Sequence, residues 1–261
     1  MAADGPGPSA AEVAERIAAE LAARADPARA AAMARYMRPG VATQRSWDRS
    51  GSRGGLDGFP FLGVPALGQK EAWRAATAGL PRRLPEPVVA EAAALLWERP
   101  EREHQYLGTT LVNRHAESGP PSPAFLATLR ALIVAKPWWD TVDALATRGV
   151  GAVVRRHRQL RAEMDAWLAG DDLWLVRAAL LHMNRWKGEA DQAWLFDACL
   201  ARAGDTDFFI RKAIGWALRE HSKVDERAVV AFVAAHEAEL SGLSRREALM
   251  WLERRRRRLG A

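Results

Sequence analysis

The chain has 261 residues, a formal net charge of +6 and a single cysteine, Cys199. This length allows one large domain or two small ones. Charges interrupt every apolar run, which excludes a membrane span. A lone cysteine excludes an intramolecular disulfide. The first ten residues lack the basic start and apolar stretch of a secretory signal, so we expect a cytoplasmic protein in which Cys199 is a core thiol.

Helical patterns follow one another along almost the whole chain. Residues 1–8 are expected to be a flexible tail, a helix begins near Ser9 with Glu12 at capping-box distance, and a second begins at Pro27. Residues 39–58 are rich in Gly, Ser and Arg, lack a helical period and predict a loop insertion. Further helices are predicted at 70–79, 86–98, 102–116, 122–135, 138–148, 151–168, 172–186, 190–203, 207–223, 225–239 and 244–258. No hairpin signal interrupts them, which indicates an all-α protein.

The second half of the chain contains a repeat. Similar blocks begin at Trp139, Trp174 and Phe209, so that 174−139 and 209−174 both equal 35, and a second helix follows each block. Such a period is typical of a HEAT-like α-solenoid, in which antiparallel helix pairs stack and present a concave face; chance likeness between amphipathic helices is the alternative. We predict a single helical-repeat domain over residues 9–261 that ends in a basic segment at 254–261.

Positive charge is concentrated near the end of the chain. Residues 201–261 carry 13 Lys and Arg against 9 Asp and Glu, so 13−9 places +4 of the net +6 there, and the concave face is expected to be basic. In the helix at 207–223, one stripe at spacings i, i+4, i+7 and i+11 consists of Lys212, Trp216, Arg219 and Lys223. An indole among cations suits a nucleotide, although a half-buried tryptophan with cation stems packed around it would give the same pattern.

Two further residues stand out as candidates for chemistry. Asp143 lies one helical turn after Trp139, where a carboxylate is costly unless it meets water, a cation or a partner. Arg177 interrupts an apolar run and predicts either an ion pair with an acid or a contact with an anion such as phosphate. Because Trp139, Arg177 and Trp216 occupy nearly equivalent points of successive repeats, we expect them to converge with Asp143 on one patch.

The chain resembles the AlkD-like DNA glycosylases over residues from about 12 to 250. The segments that carry the resemblance are, in order, MARYMR (33–38), FPFLGV (59–64), LLWERPEREHQY (95–106), KPWWDTVD (136–143), DLWLVRAALLH (172–182), DFFIRKAIGWALREHSK (207–223) and LSRREAL (243–249). By this resemblance, the catalytic aspartate of the family falls on Asp143 and its site tryptophans fall on Trp139 and Trp216. The arginine that holds the DNA near the lesion falls on Arg177.

The resemblance also implies a partner and a reaction. Tyr36 and Arg219 match positions that face DNA, and Lys212 and Lys223 are expected to join them because they share the stripe with Arg219. The implied protein is a monofunctional glycosylase that removes cationic N3- or N7-alkylated purines from double-stranded DNA without a base-flipping pocket. We expect it to be a monomer that is nucleoid-associated when bound to DNA.

Other classes of function fit the sequence less well. A non-catalytic helical-repeat scaffold that recognises DNA structure is the alternative, and it would not need a carboxylate beside Trp139. The six histidines are scattered and no nucleotide-binding glycine motif precedes a helix, so we expect neither a metal nor another cofactor.

Overall fold

The computed structural model describes residues 7–36 and 59–259, and within them every regular element is helical. This confirms the predicted all-α class and the α-solenoid fold. The first six residues of the predicted tail, the insertion at 39–58 and the last two residues of the basic end lie outside the described ranges. The chain divides into two compact units, with a boundary between Pro137 and Trp138 inside the predicted single domain. No helix in the described ranges is long and apolar enough to cross a membrane.

The first unit is a set of amphipathic helices. They are α1 (Ala10–Ala22), α2 (Pro27–Tyr36), α3 (Ala66–Ala76), α4 (Glu86–Glu98), α5 (Arg102–Ser118) and α6 (Phe125–Val134). The predicted cap of α1 is present, because the Ser9 hydroxyl accepts a hydrogen bond of 3.1 Å from the Glu12 N–H. One face of α1 is buried and packs on α3, α4 and α5.

The second unit contains the repeats. Its α-helices are α7 (Trp139–Ala144), α8 (Gly151–Arg156), α9 (Arg161–Ala169), α10 (Leu173–Leu181), α11 (Gln192–Ala201), α12 (Phe208–His221), α13 (Glu226–Ala235) and α14 (Gly242–Leu259). A π-helical segment, Leu145–Val150, joins α7 to α8. Helix α10 packs against α7 on one side and α12 on the other, and α12 packs against α14.

The predicted helix break at residues 149–150 was wrong. The chain stays helical from Trp139 through the π segment to Arg156, and the break comes at His157. A Cβ at Gly151 would lie only 2.4 Å from the carbonyl oxygen of His182, and the Trp186 indole N–H donates to the Gly151 carbonyl at 3.0 Å. The glycine therefore permits two backbones to approach closely rather than ending the helix.

Hydrogen bonds join residues that lie about one predicted period apart. The bond from Trp186 to Gly151 spans 35 residues, and a bond of 2.7 Å from Arg202 Nε to the Leu168 carbonyl spans 34. Cys199 of α11 is fully buried, and burial raises the pKa of its thiol far above the usual range, as expected of a core thiol.

Candidate active site

An aromatic cluster fixes the start of α7. Trp138 is buried, and its ring centroid lies 5.7 Å from that of Trp174 and 5.0 Å from that of Phe209. These contacts tie α7 to α10 and α12. Because successive side chains project about 100° apart around a helix, the neighbouring Trp139 is turned away from the cluster, and it is 38% exposed.

The ion pair between Asp143 and Arg177 lies one turn beyond Trp139. Arg177 donates from Nε to Asp143 Oδ1 and from Nη2 to Oδ2, both at 2.7 Å. Its Nη1 donates to the Phe209 carbonyl oxygen at 2.6 Å, so one guanidinium links α7, α10 and α12. The Arg177 side chain is 6% exposed and the Asp143 side chain is 16% exposed.

The electrostatics of Asp143 reflect two opposing effects. Burial raises the pKa of the Asp143 carboxyl above its ordinary value, whereas the charge and hydrogen bonds of Arg177 act in the opposite direction and the charge of Asp140 adds to the rise. Both Asp143 oxygens accept an N–H from Arg177, which is the fork-to-fork geometry of an ionised carboxylate. The group is therefore a partly buried anion that still reaches solvent.

The helix changes its geometry directly after Asp143. The π-helical segment begins two residues later, at Leu145, and the Thr147 hydroxyl donates to the Asp143 carbonyl at 2.8 Å. The segment packs against α10, which carries Arg177. Short π-helical turns inside α-helices are frequent at functional sites.

The basic stripe of α12 is largely paired within the protein. Lys212 Nζ and Arg219 Nη1 each donate to Glu247 of α14 at 2.6 Å, and Lys223 Nζ pairs with Glu220 at 2.7 Å. The half-buried Trp216 lies between these pairs, and its indole N–H donates to Glu220 at 3.3 Å. The stripe therefore presents less free charge than the sequence predicts.

Close packing of α12 and α14 places Glu247 beside the stripe. A Cβ at Gly215 would lie 2.4 Å from the Glu247 Cβ and 2.7 Å from the Ser244 carbonyl oxygen, so a glycine is required there. Burial raises the pKa of Glu247, but the hydrogen bonds and charges of Lys212 and Arg219 outweigh that effect and hold it below the ordinary value.

Comparison with known proteins identifies the family. The family model described as "DNA alkylation repair enzyme" matches residues 17–252. The chain belongs to the DNA alkylation repair enzyme family. A solved structure described as a predicted DNA alkylation repair enzyme from Enterococcus faecalis is similar at a TM-score of 0.72 and 25% identity, covering 88% of this chain and 97% of that one. A search of curated proteins found no match.

The structure of this DNA alkylation repair enzyme brings some of the predicted site residues together. Asp143 and Arg177 are in contact. Of the two alternatives predicted for Arg177, the structure therefore shows the ion pair with an acid. Trp139 lies exposed on the same helix as Asp143, whereas the convergence of Trp216 on them stays a prediction. Tyr36 is 81% exposed in the first unit, and its contact with DNA also stays a prediction.

Two contacts of the candidate site were not predicted from the sequence. The Phe209 carbonyl and Glu247 both bind residues of the candidate site, and neither was proposed. The repeat itself offers a signal for Glu247, because it follows Lys212 by 35 residues just as Arg177 follows Asp143 by 34. Across residues 7–36 and 59–259, no group of three His, Cys, Asp or Glu side chains could hold a metal ion.

Proposed function

We propose that this DNA alkylation repair enzyme is a monofunctional DNA glycosylase that removes cationic N3- or N7-alkylated purines from double-stranded DNA and leaves an abasic site. The observation that carries the proposal is the carboxylate of Asp143, which the bidentate Arg177 holds as an anion at the edge of solvent, one turn from the exposed Trp139. The 16% exposure of the Asp143 side chain leaves this anion accessible to a substrate.

The proposed reaction needs a carboxylate but no general acid. Alkylation at N3 or N7 gives the purine a positive charge, so the base can leave without being protonated. The deoxyribose that remains has oxocarbenium character, and a fixed anion near its C1′ lowers the energy of that state electrostatically. Each Asp143 oxygen has a further lone pair beyond the one that Arg177 uses, so the same carboxylate can orient the attacking water.

Arg177 acts in this proposal as a positioning residue. Its buried guanidinium fixes both oxygens of Asp143 and is itself fixed by the Phe209 carbonyl. The sequence also predicts that Arg177 contacts the phosphate next to the lesion. That contact would use the N–H groups of Nη1 and Nη2 that do not take part in these three bonds.

The tryptophans have a different role. The exposed indole of Trp139 offers an electron-rich face to the sugar as positive charge develops, a contact that contributes about 0.5–2 kcal/mol depending on how much water is excluded. Trp216 would form a second wall if it converges on the same nucleotide. Neither tryptophan takes part in proton transfer.

The direct test uses a duplex that contains one N7-methylguanine. The protein should release 7-methylguanine and leave a site that alkali cleaves, while a matched duplex with the neutral lesion 8-oxoguanine should stay intact. Binding of both duplexes without release of either base would instead support a non-catalytic scaffold.

A further inference from the structure

The basic end of the chain is a structured helix. The arginine run 254–258 lies within the helix predicted at 244–258, and in the structure α14 extends as far as Leu259. Its side chains therefore project in fixed directions around the helix axis. Residues at i, i+4, i+7 and i+11 share one side of a helix, and on α14 these positions are Glu247, Trp251, Arg254 and Arg258.

This stripe of α14 starts beside the stripe of α12. Glu247, at its beginning, binds Lys212 and Arg219. One further turn along the helix, Trp251 is partly buried, and Arg254 and Arg258 follow it into solvent. The two stripes thus meet at Glu247 within the second unit.

Two of the five arginines of the run form ion pairs with residues that the structure describes, and Arg257, which lies off the stripe, is exposed without one. Arg255 and Arg256 pair with Glu226 of α13 at 3.1 and 3.6 Å, and the Arg255 guanidinium also lies 5.4 Å from the Trp251 ring centroid. Arg254 and Arg258 are exposed and form no ion pair with any residue that the structure describes. Together with Trp251 and Arg255 they line an open cleft of about 520 Å³.

Charge that is already neutralised inside the protein is poorly available to DNA. Lys212, Arg219 and Lys223 each have a carboxylate partner, so a phosphate would have to displace it. Arg254 and Arg258 have none to displace. They lie about 6 Å apart along the helix axis, and duplex DNA carries one negative charge per about 1.7 Å of its length, so both can meet phosphates in a single contact.

We propose that the stripe of Trp251, Arg254 and Arg258 on α14 binds the phosphate backbone of double-stranded DNA and contributes about two phosphate contacts to the salt dependence of its affinity. This inference rests on the proposed function, which supplies double-stranded DNA as the partner of the stripe. The contact is independent of base sequence, because phosphates carry no base information.

The test measures the affinity for an undamaged duplex as a function of salt concentration, by fluorescence anisotropy. The variant R254Q/R258Q should lower the slope of log affinity against log salt by about 1.8, or about 0.9 for each phosphate contact removed. The matched control is R245Q/R256Q. It removes two charges from the opposite side of α14, where Arg245 and Arg256 already pair with Glu237 and Glu226, and it should change the slope little.

Two results would overturn the proposal. An unchanged slope in R254Q/R258Q would show that the stripe does not touch DNA, and an equal fall in both double variants would show that only net charge matters. Circular dichroism checks that each variant is folded. Because the duplex is undamaged, the result does not depend on base release: a wild-type protein that shows the expected slopes but never releases 7-methylguanine would refute the proposed function and leave this surface standing.

Discussion

Removing Arg177 tests the buried ion pair at the centre of the site. In the variant Arg177→Met, a side chain of similar length fills the space but the three hydrogen bonds to Asp143 and Phe209 are lost. Breaking a buried pair by deleting one partner costs about 3–5 kcal/mol, chiefly because the other charge stays buried without compensation. Because the Asp143 side chain is 16% exposed to solvent, we expect a loss of stability near the lower end of this range, about 3 kcal/mol.

A double variant separates the charge from the packing. Adding Asp143→Asn to Arg177→Met removes the uncompensated anion, so the double variant should be more stable than Arg177→Met alone by at least about 1 kcal/mol. Urea denaturation measures the free energy of unfolding of all four proteins in the cycle, with the slope m checked for constancy. The matched control is Arg245→Met, which removes an exposed partner of Glu237 and should cost only about 0–1 kcal/mol.

The cycle would refute this account in either of two ways. A cost below about 1 kcal/mol for Arg177→Met would place the pair among exposed ion pairs. A double variant no more stable than Arg177→Met would show that Asp143 is not an uncompensated anion once Arg177 is gone, and the electrostatic argument for the site would lose its basis.

Two further predictions follow from the close contacts and the pKa of the site. Gly215→Ala should destabilise the protein by about 1–3 kcal/mol through overpacking, because its Cβ would lie 2.4 Å from that of Glu247; thermal unfolding measures this, and Gly204→Ala, where nothing lies within 4 Å, should be close to neutral. Burial raises the pKa of Asp143 and the ionised form is the active one, so the single-turnover excision rate should fall as pH drops, with a midpoint above the ordinary aspartate value of about 3.9. Arg177→Lys, which cannot make the bidentate contact, should move that midpoint higher still, and a midpoint at or below the ordinary value would contradict this assignment.

Much of the fold and part of the site follow from local patterns in the sequence. The 35-residue period placed Asp143 and Arg177 on neighbouring repeats, and the structure joins them across 34 residues. Helix geometry also separates Trp138 from its neighbour, because Trp138 is buried while Trp139 is exposed. Helical periodicity suffices for such predictions because it fixes which side chains share a face.

The features that the sequence did not predict depend on contacts between distant segments. The sequence predicts a helix break at residues 149–150, just before Gly151, whereas in the structure the helix continues and the glycine lets the backbone at His182 pass close to it. From the sequence, Lys212 and Arg219 are expected to be available to DNA. In the structure, both pair with Glu247 of α14. In both cases the residue type is compatible with two structures, and only the position of the neighbouring helix decides between them.

The most direct test of the proposed glycosylase compares wild type with Asp143→Asn on a duplex containing N7-methylguanine. Asparagine keeps the shape of the side chain but removes the charge that would stabilise the developing sugar cation. We expect single-turnover excision to fall by about 100-fold or more, since loss of one electrostatic contact to a transition state costs about 10²–10³ in rate, while affinity for the duplex stays close to that of wild type. Excision by Asp143→Asn at the wild-type rate would contradict the assignment of Asp143 as the catalytic carboxylate.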